Sequence, residues 1–325
     1  MNNYKLLGRA GEGAHGFVFK GLDTRTQKYV ALKKVAINPN VGIPKNTFRE
    51  ICSLRVLKSK NIVQLFEVTT MGSSVILVME YLPWSLADVL KKYDKPLTLS
   101  QIKAYSKMIL NGVDYMHQNH IMHRDMKPAN LMISEKGVLK IADFGLARIY
   151  DETKPRLYSH QVATRWYRAP ELLYGSRNYT PSVDMWSVGC IIAEMVNGQP
   201  LFPGETDIEQ LAIVLDTLGT PNDETWPELK ELPDYNKIAF SPSTPKNWRI
   251  ILSTADSTTV SLISSILIYD GRKRLTAQEA LKHEFLRKEP YPCKLSKMPK
   301  LKDEISEMTW TFADFDECLD KLKKK

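Results

Sequence analysis

The chain has 325 residues, 43% of them apolar and 25% charged, with a net charge of +8. These fractions are globular and exclude wholesale disorder, collagen and coiled coil, and the length suits two lobes with a sizeable core. Cys52, Cys190, Cys293 and Cys318 are too scattered for a disulfide framework and form no C-x-x-C pair, so a reduced, intracellular chain is expected. The N-terminal MNNYKLLGRA has no apolar leader, and the greasiest run, 186–196, is too short to span a bilayer and carries Glu194; a soluble protein without membrane insertion is expected. Residues 1–80 hold twelve basic and five acidic residues, nearly all of the excess charge. No aromatic-interleaved basic motif accompanies it, so a nucleotide site and a partner-facing surface are expected rather than nucleic-acid binding.

In chain order, YKLLGR, GFVFKGL, KYVALKKVAI, IVQLFEV and SVILVMEY read as strands bounded by Gly, Asn and Ser. In KYVALKKV, Ala31 and Lys33 share one face and Val30 and Leu32 the other. Phe48, Ile51 and Leu54 mark one helix over 47–58. After residue 80 the pattern turns helical. Ile102, Tyr105, Met108, Ile109, Val113 and Met116 predict a long helix capped by Ser100, and further helices are expected at 184–197, 206–217, 258–268 and 276–283. The Pro-rich stretch 220–246 reads as loops. The reading is an α+β chain with two lobes and a cleft between: a small antiparallel sheet with one helix over 4–80, and a larger, mainly helical lobe over 81–288. Residues 289–325 read as a tail whose Trp310, Phe312 and Phe315 suggest docking back.

Four motifs carry chemistry. Gly11-Glu12-Gly13-Ala14-His15-Gly16 lies between two strands, which excludes a Rossmann turn, and it lacks the Gly-Lys-Ser/Thr of a Walker loop. What remains is a glycine hairpin whose backbone N–H groups can approach a triphosphate. His123-Arg124-Asp125-Met126-Lys127-Pro128-Ala129-Asn130 follows the long helix, then come Asp143-Phe144-Gly145 and Ala169-Pro170-Glu171, with Lys33 in VALK between the first two motifs. Phosphoryl transfer spreads charge over phosphate oxygens, so placed cations and metal ions matter more than covalent chemistry. One carboxylate and one amide are suitable hard donors for such ions. His123 reads as a packed structural histidine.

Over residues 4–288 the sequence resembles the eukaryotic protein kinases. The resemblance implies a bilobal kinase fold that uses ATP and Mg²⁺. Gly11, Glu12, Gly13, Ala14, His15 and Gly16 would cover the phosphates, and Val18 and Ala31 would grip the adenine. Lys33 would hold phosphates and pair with Glu50, the acidic residue of FREICSL. Met79 would be the gatekeeper, Glu80 and Leu82 would offer hinge backbone, and Met132 would complete the nucleotide site. Asp125 would orient the substrate hydroxyl, Lys127 would steady the γ-phosphoryl group, and Asn130 and Asp143 would bind metal.

WYRAPE, DMWSVGC and WPELKELPDYN are similar to the cyclin-dependent and mitogen-activated group. The activation segment has Ser159-His160-Gln161 where mitogen-activated kinases carry Thr-x-Tyr, which leaves Ser159 as a single phosphosite, clamped by Arg49, Arg124 and Arg148 and marked by an upstream kinase. Val162-Ala163 with Arg168 resembles an arrangement that favours proline after the acceptor. Ala14 and His15 cannot take the inhibitory hairpin phosphates of this group. GRAGEGAHGFVFKG, MKPANLMIS, HQVATRWYRAPELLYG and LGTPN are most like the cell cycle-related kinase subfamily of the cyclin-dependent kinases. That likeness implies a Ser/Thr kinase of protein substrates with Ser/Thr-Pro sites, or of other kinases' activation segments, connected with cilium assembly and length. It places the chain in cytoplasm, nucleus or cilium. IPKNTFREI departs from the cyclin-binding signature, so a cyclin or another activating subunit is expected without a choice between them. Ser85 stands where a ribose-binding Asp is usual. A general cell-cycle or mitogen-activated kinase, and a kinase-fold scaffold whose catalysis is dispensable, are the alternatives.

Overall fold

The computed structural model describes residues 3–13, 16–151, 153 and 156–302. Strands β1 (Tyr4–Gly13), β2 (Gly16–Asp23), β3 (Lys28–Ala36), β4 (Leu65–Met71) and β5 (Ser74–Glu80) form an antiparallel sheet in the order β1-β2-β3-β5-β4. Helix α1 (Lys45–Val56) lies between β3 and β4 in sequence. The alternation along β3 splits the sheet into two faces, as the pattern of side chains predicts. Val30 and Leu32 join Phe17, Phe19, Ile76 and Val78 in a small core of their own. Ala31 faces the other way, into the main core with Leu77 and Met79 and with Ile51 and Leu54 of α1.

Beyond the sheet, the short strand β6 (Trp84–Ser85) leads into α2 (Leu86–Lys92) and α3 (Leu99–Gln118). Two small antiparallel ribbons follow. One pairs β7 (Ile121–Met122) with β10 (Arg148–Ile149), and the other orders β6 with β8 (Leu131–Ile133) and β9 (Leu139–Ile141). The helical remainder comprises α4 (Pro170–Leu173), α5 (Ser182–Asn197), α6 (Asp207–Leu218), α7 (Trp248–Ile251), α8 (Ser257–Ile266), α9 (Ala277–Lys282) and α10 (Glu284–Arg287). The apolar run 186–196 is the buried body of α5, with Trp186 wholly covered and stacked on Phe202. No helix among the described residues is long and apolar enough to cross a membrane. The 220–246 stretch is loop with two short 3-10 turns, Leu229–Glu231 and Tyr235–Lys237.

Several helix ends differ from expectation, for identifiable reasons. The cap of α3 is Thr98, two residues before Ser100, because Thr98 and Gln101 form a reciprocal capping box. The Ser100 hydroxyl instead donates to the Tyr291 carbonyl at 2.8 Å. α1 covers Lys45–Val56 rather than 47–58, starting after Pro44 and ending where Leu57 turns extended and drops into the core. Phe48, placed by periodicity beside Ile51 and Leu54, is 60% exposed, on a different side of α1 from those two buried residues.

The start of the tail is a strap across α3. Gln101 Nε2 donates to Lys297 O, buried Lys103 Nζ donates to Lys288 O, and Met298 reaches the core. The strap arrives at β6, where Trp84 Nε1 donates to Lys302 O at 3.2 Å. Trp310, Phe312 and Phe315 lie outside the described residues, as do Ala14 and His15.

Candidate active site

The antiparallel register of β2, β3 and β5 brings the N-lobe residues together. Val18 pairs with Lys33, and Ala31 pairs with Met79. Ala31, Met79 and Leu82 are buried, and Val18 and Met132 pack partly covered against the same apolar cluster, the residues the kinase resemblance assigns to the adenine slot. Glu80 begins the connection to the helical lobe; its N–H donates to Gln64 O and its carboxylate accepts from Lys140 Nζ at 2.7 Å. Gly13 pairs with Gly16 across the hairpin, and a side chain built at Gly11 would meet open space, so this edge leaves room above the slot. Glu12 lies on β1 one residue before Gly13.

Lys33 Nζ donates to both oxygens of Glu50, at 2.9 and 2.7 Å, and stands 3.7 Å from Asp143 Oδ1. Burial alone would push this ammonium down, but the Glu50 and Asp143 carboxylates outweigh it and hold it charged, above its ordinary 10.5. Asp143 has φ 60°, in the left-handed region that strains a side-chain-bearing residue.

Asp125 is gripped from four sides. Its Oδ1 accepts from Thr164 N at 2.9 Å and Thr164 Oγ1 at 3.1 Å, and its Oδ2 faces Lys127 Nζ at 3.0 Å and accepts from Asn130 Nδ2 at 3.1 Å. Lys127 Nζ also donates to Thr164 Oγ1 at 2.8 Å. Asn130 Nδ2 donates to Asp125 O as well, so the amide nitrogen is committed and the amide oxygen is the end left for a cation. His123 is fully buried, with Nδ1 accepting from Asp125 N at 3.2 Å and Nε2 beside Ala142 O at 3.0 Å. That arrangement suits a neutral ring with its proton on Nε2, the structural role expected of it.

A protein kinase domain model matches residues 4–286. The chain belongs to the protein kinase family. It is 50% identical over 301 residues to cyclin-dependent kinase 20 of Danio rerio, covering 92% of this chain and 88% of that protein. It is 49% identical to cyclin-dependent kinase 20 of Homo sapiens, covering 92% and 87%. Among solved structures it is similar to the CAK complex of Chaetomium thermophilum bound to ATP-gamma-S, with TM-score 0.86, 34% identity, and 92% and 96% of the two chains covered. It is also similar to the yeast RNA Pol II CTD kinase CTDK-1 complex, with TM-score 0.84, 34% identity, and 91% and 96% covered. This kinase is therefore of the cyclin-dependent type and uses ATP with Mg²⁺.

The donors present fit that cofactor. Asp143 and Asn130 offer one carboxylate and one amide oxygen, the hard donors that would hold a Mg²⁺ ion. Ser85, where an acidic residue was expected by family pattern, is spent on α2: its hydroxyl donates to Asp88 Oδ2 at 2.7 Å and accepts from Asp88 N at 3.1 Å.

Arg49 and Arg148 line a cavity of about 1000 Å³ together with Ser159. Arg124 lies behind it. Arg124 donates through Nε and Nη2 to Leu146 O and through Nη1 to Tyr179 OH, which in turn donates to Ser159 O at 2.6 Å. Burial, and then the charges of Arg148 and Arg124, hold Arg49 below its ordinary value.

The sequence motifs assign no role to Thr164, Asp184, Tyr179 or Arg274. Asp184, wholly buried in the first turn of α5, accepts the N–H groups of His123 and Arg124. Arg274 is wholly buried and makes a two-pronged 2.7 Å pair with Glu171. An acidic residue at the head of an apolar helix was the available signal for Asp184. Nothing local pairs Glu171 with a partner 103 residues away.

Proposed function

We propose that this kinase is a proline-directed serine/threonine kinase, activated by phosphorylation of Ser159 and by an apolar protein subunit. The observation that carries the catalytic reading is that Lys33 and Asp143 meet in one cluster and Asp125, Lys127 and Asn130 in another, the two joined where Ala142 N, beside Asp143, donates to Asn130 O at 2.9 Å. Mg·ATP supplies the phosphoryl group and the metal charge. Lys33, fixed by Glu50, orients phosphate oxygens. The substrate hydroxyl would donate to Asp125, which Thr164, Lys127 and Asn130 hold in place. As its oxygen bonds the γ-phosphorus, the bond to the bridging β-phosphate oxygen would break and ADP would leave, the proton would pass to Asp125, and Lys127 Nζ would balance the charge.

Proline selection rests on Ala163. Its φ is 64°, and its carbonyl accepts from Arg168 Nη2 at 3.0 Å, while Val162 O accepts from Arg168 Nε at 2.9 Å. With both carbonyls occupied, the N–H of the residue after the phospho-acceptor has no partner, a cost of about 1–3 kcal/mol that proline escapes. Serine and threonine are the acceptors of the cyclin-dependent family, which supports the same choice here.

The case for Ser159 is electrostatic. Arg49 and Arg148 line the cavity that Ser159 lines, with Arg124 adjoining; burial, with the charges of Arg148 and Arg124 on Arg49 and of Arg124 on Arg148, weakens their hold on their protons. A phosphate of about −1.5 to −2 charge would relieve both effects and tie the activation segment to α1. Around the same cavity Phe48, Val56, Ile149 and Leu157 are exposed. A cyclin or a comparable activating subunit would cover them. Likeness to cyclin-dependent kinase 20 supports a role in cilium assembly and length, action on other kinases' activation segments, and residence in cytoplasm, nucleus or cilium.

The test is transfer of labelled phosphate by the purified, Ser159-phosphorylated chain to Ser-Pro and Ser-Ala peptides. Activity on Ser-Pro, absent in Lys33→Met and Asp143→Ala, is expected. Equal use of both peptides overturns proline direction, and full cellular rescue by Lys33→Met makes the chain a scaffold.

A further inference from the structure

We propose that Asp207, in the first turn of α6, is the positioning residue that sets this kinase's demand for proline; the inference rests on the proline-directed reading above. Arg168 is a bridge. On one side its Nε and Nη2 hold the Val162 and Ala163 carbonyls, and on the other its Nη1 donates to both carboxylate oxygens of Asp207, each at 2.9 Å. Asp207 Oδ1 also accepts from Arg165 Nε at 2.8 Å.

The head of α6 is a rigid place from which to brace a guanidinium. Thr206 caps the helix, and Gly204 N donates to Gln210 Oε1 at 3.0 Å. A side chain at Gly204 would come within 2.5 Å of the Gln210 backbone, so the turn is closed on itself. Two further bonds tie the activation segment to this turn: Arg165 Nη1 donates to Glu205 O and Trp166 Nε1 donates to Gly204 O.

The left-handed conformation of Ala163 is one that an alanine leaves unless its surroundings over-determine it. Arg168 supplies that constraint, and Asp207 keeps Arg168 aimed. A carboxylate suits the position because it accepts from Arg168 Nη1 and Arg165 Nε and offsets two guanidinium charges at once. Without it Arg168 is free to leave the carbonyls, and Ala163 relaxes to negative φ. Its carbonyl then accepts the N–H of a residue other than proline, and the discrimination falls.

Asp207 touches neither ATP nor the reacting hydroxyl, so selectivity and not rate alone reports its role. The experiment compares kcat/KM for Ser-Pro and Ser-Ala peptides in the phosphorylated full chain and in Asp207→Ala, Asp207→Asn, Asp207→Glu and Arg165→Ala. The Pro/Ala ratio is expected to fall by at least about fivefold in Asp207→Ala, the factor that one net hydrogen bond carries. Asp207→Glu recovers most of the ratio, and Arg165→Ala, which leaves the Asp207–Arg168 contact, keeps it. If the wild type prefers Ser-Pro and both Asp207→Ala and Asp207→Asn lower the two peptides equally, Asp207 is a structural residue and the inference fails alone. A wild type without preference removes the underlying reading as well.

Discussion

Asp184 Oδ1 accepts the backbone N–H of Arg124 at 2.7 Å, and Arg124 sits at φ 68°, a conformation a side-chain-bearing residue holds only under constraint. Asp184 Oδ2 accepts the His123 N–H at 2.8 Å and faces His117 Nε2 at 2.9 Å. One buried carboxylate therefore shapes the loop that carries Asp125. Asp184→Asn swaps one acceptor oxygen for a donor facing an N–H group, and about 2–4 kcal/mol of stability should be lost, with kcat falling in parallel. Urea unfolding followed by circular dichroism measures the first and peptide phosphorylation the second.

The same residue gives a pH dependence. Burial pushes the Asp184 carboxyl up, but its contact with His117 and the Arg124 backbone donor outweigh it, leaving the group below its ordinary 3.8. A lowered carboxyl contributes stability that is complete above the unfolded value of about 4 and is lost as acid protonates it in the folded chain. The gap between wild type and Asp184→Asn should be constant from pH 7 to 5 and close below pH about 4. A gap that does not change at low pH would assign the effect to packing.

Thr164 joins Asp125 to Lys127 through a hydroxyl and an N–H. Thr164→Val keeps the shape and the N–H but removes the hydroxyl, which frees Lys127 to drift from Asp125. We expect kcat to drop by about 10²-fold, the effect of a misplaced catalytic group, with ATP affinity unchanged. Thr164→Ser should recover most of the rate. Loss of ATP binding in Thr164→Val would show that the residue supports the cleft in general.

Glu171 and Arg274 form a buried, two-pronged pair, with Arg274 over the Trp186 ring at 5.0 Å. Removing one partner strands the other charge away from water. Glu171→Gln and Arg274→Met should each cost about 3–5 kcal/mol, and the apolar double variant Glu171→Leu/Arg274→Met less than the sum. Additive losses in a double-mutant cycle would show that the two side chains do not interact.

Legibility in the sequence followed locality. Strand alternation along β3 and the ordered motifs around Asp125 and Asp143 need only neighbours, and they located the sheet and the cleft. Ser100 and Thr98 are both good caps by residue type, and the Thr98–Gln101 box, with the Ser100 hydroxyl donating to Tyr291 O, decides for Thr98. Phe48 shares the three-residue spacing of Ile51 and Leu54 yet is exposed, because that spacing drifts round a helix and cannot tell a buried stripe from its edge. Contacts of long sequence separation, such as Asp184 with Arg124 and Glu171 with Arg274, leave no periodic trace. Arg124, the third arginine of the expected phosphate clamp, acts electrostatically on Arg49 and Arg148, while its side chain donates to Leu146 O and Tyr179 OH.

Gly112 links packing to catalysis. It lies in α3, where a Cβ would come 2.7 Å from Ile141 Cδ1 and 2.9 Å from Asn61 O. Ile141 N donates to that same carbonyl at 2.9 Å, and Ile141 stands two residues before Asp143. Gly112→Ala would gain about 1 kcal/mol of helix propensity. Overpacking against a backbone oxygen costs about 1–3 kcal/mol, and Asn61 O cannot retreat without breaking its bond to Ile141. The clash should win, lowering Tm by a few degrees (about 2–4 °C per kcal/mol for a domain of this size). Displacement of β9 should also loosen Asp143 and raise the Mg²⁺ concentration needed for half-maximal activity, while KM for the peptide stays fixed. An unchanged or higher Tm in a thermal melt would mean that Ile141 rotates aside at no cost, and the coupling to Asp143 would fall with it.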